Sequence, residues 1–274
     1  MATSLTYRRA IRELAELFEL PPTEAAVYEH RAASAAAEYA SGLLRATNTE
    51  VLLVDTGFPP DGTSWRELGE LADCDARPVL RIESGGDVAN ARADGFVALK
   101  TIAAYRGGLD RISDEVITAL EANEATAAPL PVQVHSGFGD SDLWLARADP
   151  SHLKPLIERF RETPFVLLHC YPFVREAGWL AHVYGNVFFD LSLTIPHVAR
   201  PAEALREALE LAPVSKLLYA SDASRTPELY YVAAKWWREA LAAVLTAELE
   251  PADAEEAGRR ILRENALALY ELGP

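Results

Sequence analysis

The chain has 274 residues and a formal net charge of −15 at pH 7, with a sequence pI near 4.9. That length is close to the roughly 250 residues of one (β/α) barrel and no Gly/Ser/Pro-rich linker divides it, so a single domain over residues 1–274 is predicted. The acidic balance without any Lys/Arg cluster excludes nucleic acid and an anionic membrane surface as partners and leaves a small-molecule substrate.

In chain order, residues 1–47 predict a helical pair. Ile11, Leu14, Leu17 and Phe18 repeat at helical spacing, Pro21 and Pro22 stop that helix, and an Ala-rich second helix is expected from Thr23 to Thr47. This opening stretch carries charges every few residues, with no apolar run of about 7–15 residues, so it reads as neither a secretory signal nor a membrane anchor. Cys74 and Cys170 lie far apart without CxxC spacing, which supports neither a disulfide framework nor a cysteine zinc motif and makes the cytosol the expected compartment.

Residues 51–222 alternate between strand and helix. Strands are predicted at VLLVD (51–55), PVLRIE (78–83), FVALKT (96–101), PVQVH (131–135), FVLLH (165–169), VFFDLS (187–192) and LLYASD (217–222). Such βαβ order with near-continuous apolar strands implies a parallel sheet buried on both faces, an α/β fold of the TIM-like (β/α) barrel kind. Seven recognisable strands are one short of a closed barrel, so the first strand is apparently missing. Residues 226–272 predict C-terminal helices, one opening at Thr226-Pro227-Glu228 and a last one opening at Pro251.

Three strand ends carry His135, His169 and Asp222, and a fourth carries Lys100. Alternation puts Gln133 and His135 opposite Val132 and Val134, and Phe165, Leu167 and His169 opposite Val166 and Leu168. If the branched pairs meet the helix layer, both histidines point to the barrel axis; Phe96, Ala98 and Lys100 share a face in the same way, as do Leu218, Ala220 and Asp222. Two neutral imidazoles and a carboxylate suit Zn2+, with Mn or Fe as alternatives, and an open position lets the ion acidify a water whose proton Asp222 could accept. Lys100 has no lone pair to offer such an ion; it becomes an anionic ligand only as a carbamate.

On the same rim, Arg106 and Tyr105 are candidates for clamping and lining a substrate, with a loop arginine paired to a surface acid as the alternative. Asp55 either contacts substrate or caps the turn after its strand, and Asp190 poses the same choice. His152, His182 and His197 fall in loop or helix contexts and are expected at the surface or as supporting groups. Tyr230, Tyr231, Trp236 and Trp237 are expected to pack within a helix, and Cys170 to point away from its neighbour His169.

LKTIAAYRGGL, QVHSGFGDSDL, LLHCYPFVREAGWLA, NVFFDLSL, YASDA and RENALALYEL, in this order along essentially the whole chain, resemble the amidohydrolase-related family, particularly the amidohydrolase domains associated with glutamine-synthetase-like proteins. The resemblance implies a metal-dependent barrel hydrolase of amide C–N bonds, with γ-glutamyl amides as the substrates suggested. It makes Lys100 a carbamylated bridging ligand, His135 and His169 ligands of the second metal, and Asp222 both a ligand and the general base. It also implies a glutamine-synthetase-like partner or a homo-oligomer. The chain departs from the family at one point: no His-x-His pair occurs, and His30 lies in a helical pattern that cannot replace a strand-borne pair. Either the natural chain is longer and carries that strand upstream, or the chain is a shortened relative with one metal position degraded. The readings kept beside the amide hydrolase are a metal-dependent decarboxylase of the same superfamily and a non-catalytic barrel that binds a metal or a partner.

Overall fold

A computed structural model describes residues 3–59 and 61–273. The apolar runs form β1 (Val51–Asp55), β2 (Asp75–Arg81), β3 (Ala98–Thr101), β4 (Val132–Ser136), β5 (Phe165–His169), β6 (Val187–Asp190) and β7 (Leu217–Leu218). Each strand pairs in parallel with its neighbour, in the order β1 to β7, so the sheet is an incomplete barrel with β1 and β7 at its edges.

Three helices precede the sheet, α1 (Leu5–Leu17), α2 (Glu24–Ala33) and α3 (Ala36–Arg45). The single helix expected over Thr23–Thr47 is therefore two. Ser34 is extended and its hydroxyl donates to the His30 carbonyl at 2.9 Å, so the side chain satisfies the backbone where the helix would have continued. Between the strands lie α4 (Trp65–Ala72), α5 (Asp114–Glu124), α6 (Lys154–Arg159), α7 (Val174–Val183), α8 (Thr194–His197) and α9 (Pro201–Leu209); α10 (Pro227–Glu248), α11 (Pro251–Arg259) and α12 (Asn265–Leu269) follow. A capping box between Ser64 and Glu67 fixes the start of α4, and Asp73 in the left-handed region turns the chain into β2.

Two apolar layers form on the faces of the sheet. Leu99, Val132, Val134, Phe165, Leu167 and Phe189 point outward and pack with the helices, where Trp236 and Trp237 of α10 are also buried. Val79, Ala98, Val166, Leu168 and Leu218 point inward and are closed at one end by Tyr270, whose hydroxyl accepts from Gln133 Nε2 at 3.1 Å. Each fully buried Val, Leu or Phe among them contributes about 1.5–3 kcal/mol of burial free energy. Among the described residues no helix is long and apolar enough to cross a membrane.

Several strand ends differ from the sequence reading. β2 begins at Asp75 and stops at Arg81, where Ile82–Ser84 turns into a 3-10 helix. β7 is cut to two residues because the Tyr219 amide turns to the Ile261 carbonyl at 3.1 Å. That carbonyl lies in a π-helical turn, Arg260–Glu264, which leaves it outside the usual helical ladder.

Among the described residues, no strand pairs with the outer edge of β1. Asp75 N donates to Glu50 O and Thr56 N to Val79 O, which in a parallel ladder assigns Leu52 and Val54 to the β2 side. The amides and carbonyls of Val51, Leu53 and Asp55 thus face the gap toward β7.

Candidate functional site

The C-terminal strand ends open into one cavity of about 2260 Å3, which continues through the gap between β1 and β7. Lys100, His135, His169, Asp222, Tyr105, Arg106 and Asp55 all line it. It is larger than the roughly 300–1,000 Å3 usual for a small-molecule pocket, as expected where one wall of a barrel is open.

His135 reaches the cavity by plain alternation, with Val132 and Val134 on the outer face. His169 does not. The aliphatics of β5 are reversed relative to the expectation: Val166 and Leu168 point inward and Phe165 and Leu167 outward. Alternation alone would send His169 into the helix layer. Instead the backbone leaves the strand there, with φ of 67° at His169 and 65° at Cys170, and this left-handed pair swings the imidazole into the cavity while Cys170 takes the outer position.

Asp190 holds that turn. Buried at the end of β6, its Oδ1 accepts from His169 N at 2.8 Å, Ser192 N at 2.9 Å and Ser192 Oγ at 2.6 Å. Because the Ser192 hydroxyl proton is spent on Asp190, its oxygen accepts from His169 Nδ1 at 2.7 Å. The proton therefore sits on Nδ1, and Nε2 of His169 keeps its lone pair. Burial, with the Lys100 charge adding to it, holds the His169 pKa well below the ordinary histidine value, so the ring is neutral.

His135 is also neutral, its pKa lowered first by burial and then by the neighbouring His169 and Lys100. Its ring centre lies 4.5 Å from that of His169 and 4.7 Å from that of Tyr105. Its Nε2 is buried with no hydrogen-bond partner. A buried imidazole nitrogen with nothing to bond costs about 1–3 kcal/mol, so the position calls for a ligand. Asp222 Oδ2 lies 3.8 Å from His169 Nδ1. Although 41 % of the Asp222 side chain faces the cavity, the surrounding protein raises its carboxyl above the usual range, with Lys100 pulling the other way. Lys100 is only 6 % exposed. Two imidazoles and one carboxylate with an unspent nitrogen suit a divalent ion in donor type. Among the described residues, however, no three His, Cys, Asp or Glu side chains stand close enough to hold an ion by themselves.

Tyr105 is fixed by the loop after β4: its hydroxyl accepts from Asp140 N at 3.0 Å, and its pKa is raised by burial. Arg106 is exposed on the rim without an acidic partner among the described residues. Asp55 is engaged by Arg81, which sequence reading passed over. The two close adjacent strands, and Arg81 lies two residues after the inward Val79, so the same alternation that found Lys100 could have found it. His197, expected at the surface or as a supporting group, is exposed and lines the cavity from the end of α8. Its Nδ1 lies 2.7 Å from the Leu193 carbonyl. No periodicity announces a residue on a helix of four.

A family model for amidohydrolases matches residues 87–272. The chain belongs to the amidohydrolase family. Protein fluG of Emericella nidulans is 39 % identical over 171 residues, covering 60 % of this chain and 20 % of that one, so this amidohydrolase spans about a fifth of the relative it matches. A solved protein of Lactobacillus casei ATCC 334, provisionally assigned as a metal-dependent hydrolase, superposes with a TM-score of 0.85 at 27 % identity, over 98 % of this chain and 85 % of that one. Dihydroorotase of Campylobacter jejuni shares the fold at a TM-score of 0.58 and 15 % identity, over 87 % and 80 % of the two chains. The sheet is thus an amidohydrolase barrel with seven strands present.

Proposed function

We propose that the chain is a hydrolase of amide C–N bonds whose site takes a divalent ion, Zn2+ before Mn or Fe, held by His135, His169, Asp222 and a carbamylated Lys100. The observation that carries this reading is the buried, unpartnered Nε2 of His135 beside a second imidazole whose Nε2 lone pair is also free. An ion bound there would polarise the substrate carbonyl and bring a water toward a pKa of about 7.

The chain's own groups do the rest. Asp222 accepts the proton of the attacking water on a carboxylate oxygen; its raised pKa suits a group that must then pass the proton to the leaving nitrogen. Asp190 and Ser192 fix the tautomer and direction of His169. Tyr105 and Arg106 hold the substrate from the β3 side. The resemblance to amidohydrolase domains associated with glutamine-synthetase-like proteins points to γ-glutamyl amides as substrates and to such a protein as partner, and the free Cys74 and Cys170 fit a reducing cytosol.

The test is metal content and turnover of γ-glutamyl amides by wild type, His135→Ala and His169→Ala. Either substitution should abolish bound ion and hydrolysis together, and unchanged metal content in both variants would refute the assignment. A second reading, a barrel that binds a partner without turning over, is favoured by the lack of a three-residue ion cluster among the described residues. Wild type that holds no ion and hydrolyses no amide would select it.

A further inference from the structure

A second group of charges on the cavity wall is not used by the chemistry above. Asp55, closing β1, holds Arg81, closing β2. Arg81 Nη2 donates to Asp55 Oδ2 at 2.5 Å, and Nε to Oδ1 and Oδ2 at 3.2 and 3.1 Å. Gly57 N adds a bond to Oδ1 at 2.9 Å. The carboxylate is well supplied with donors, whereas Nη1 of Arg81 has no acceptor among the described residues.

Arg225 stands on the loop after Asp222, in the left-handed region at φ of 58°. Unlike Arg81, it has no acidic partner among the described residues, in a chain where 41 acidic residues outnumber 26 Lys and Arg. Both guanidinium groups lie against the ring of Phe58, Arg81 Cζ 5.5 Å and Arg225 Cζ 4.8 Å from its centre. Phe58, Arg81 and Arg225 line the same cavity as His135 and Asp222. With Asp55 engaging Arg81, Arg225 is the guanidinium of this wall left without a carboxylate partner among the described residues, and both groups lie within 5.5 Å of the centre of one apolar ring.

We propose that Arg225 and Arg81, meeting at Phe58, grip a carboxylate at the far end of the substrate, so that the site takes acyl compounds ending in a second, non-reacting carboxylate. Asp55 is then a positioning residue that turns Arg81 toward the cavity. The acyl half of the statement rests on the amide-hydrolase reading; the carboxylate grip does not need it. A guanidinium offers a carboxylate two N–H donors in a fixed plane, a bidentate geometry that a lysine ammonium cannot match.

The experiment is calorimetric binding of succinamate, glutaramate and adipamate to the metal-free protein, with pentanamide as the probe that lacks a carboxylate. At least one ω-amide acid should bind more tightly than pentanamide. Arg225→Ala should weaken that binding about 10- to 100-fold, the range expected for losing a hydrogen bond to a charged group, and Arg225→Lys should keep part of it. Arg225 is exposed, and an unchanged circular dichroism spectrum checks that the variants fold. Equal binding by wild type and Arg225→Ala, or by pentanamide and the ω-amide acids, or no binding of any ω-amide acid, would overturn the proposal. If instead Arg225→Ala loses the ω-amide acid but the metal-loaded wild type hydrolyses no amide, the grip stands and only the hydrolase reading falls.

Discussion

Gly139 is packed between two groups of the site. A Cβ built there would stand 1.8 Å from the Tyr105 hydroxyl and 3.1 Å from His135 Nε2. Tyr105 is a rigid ring fixed by Asp140 N and set against His135 at an interplanar angle of 58°, so it has little room to yield. Gly139→Ala should cost about 1–3 kcal/mol of stability and lower amide hydrolysis, and adding Tyr105→Phe should restore part of the stability but not the turnover, since the closest contact is the hydroxyl of a substrate-holding residue. Urea unfolding and turnover of the two single variants and the double variant read this directly; additive losses would mean that Tyr105 is not what the methyl group strikes. At this scale the sequence was a partial guide. Lys100 and His135 follow from alternation within straight strands, and Arg81 was open to the same rule. His169 was assigned to the cavity for a reason that does not hold, because its orientation comes from a left-handed turn tied to Asp190 and Ser192, and those bonds join residues 21 and 23 positions apart that no local pattern links.

Among the elements, one of the buried contacts that tie the N-terminal helices to α10 is ionic. Glu13 of α1 is 7 % exposed and meets Lys235 of α10, with Arg9 and Arg12 each at 3.4 Å. Burial alone would raise its pKa, but the bond to Lys235 and the two arginines outweigh that and leave it lowered. A carboxyl with a lowered folded pKa stabilises the fold fully above its unfolded value of about 4.3, and that stabilisation is lost as pH falls through the folded value. Glu13→Gln should therefore cost about 1.5–3 kcal/mol at pH 7, with the difference from wild type shrinking as the pH drops below about 4. Urea midpoints at both pH values check it, and a difference independent of pH would show that the lost contact is not electrostatic. The order and number of strands were legible because each is a run of inward and outward apolar side chains. The division of residues 24–45 into α2 and α3 was not, since it depends on one serine hydroxyl choosing the His30 carbonyl. The shortness of β7 was equally hidden, because it depends on a π-turn more than forty residues later.

For the molecule as a whole, the open edge of β1 is the feature with the largest consequence. The backbone groups of Val51, Leu53 and Asp55 face the gap unpaired by strand, beside the inward apolar side chains of Leu53 and Leu218. Unpaired strand edges next to apolar surface are templates for pairing with another chain. Self-association through this edge is expected, and light scattering at micromolar concentration should report a mass above the 30.0 kDa of one chain. Val51→Pro isolates the cause. The Val51 amide points to the gap, while the ladder to β2 is carried by Leu52 and Val54, so proline removes an outward donor without removing a bond inside the sheet. The variant should keep its fold by circular dichroism and return to the single-chain mass. A wild type already at that mass would refute edge pairing outright, and a variant that stays associated would move the contact to some other face. The same gap leads directly to His135 and Asp222. Any segment that pairs with β1 would also wall off the cavity from water, which strengthens every charge interaction inside it, so association and amide hydrolysis should rise and fall together across a dilution series.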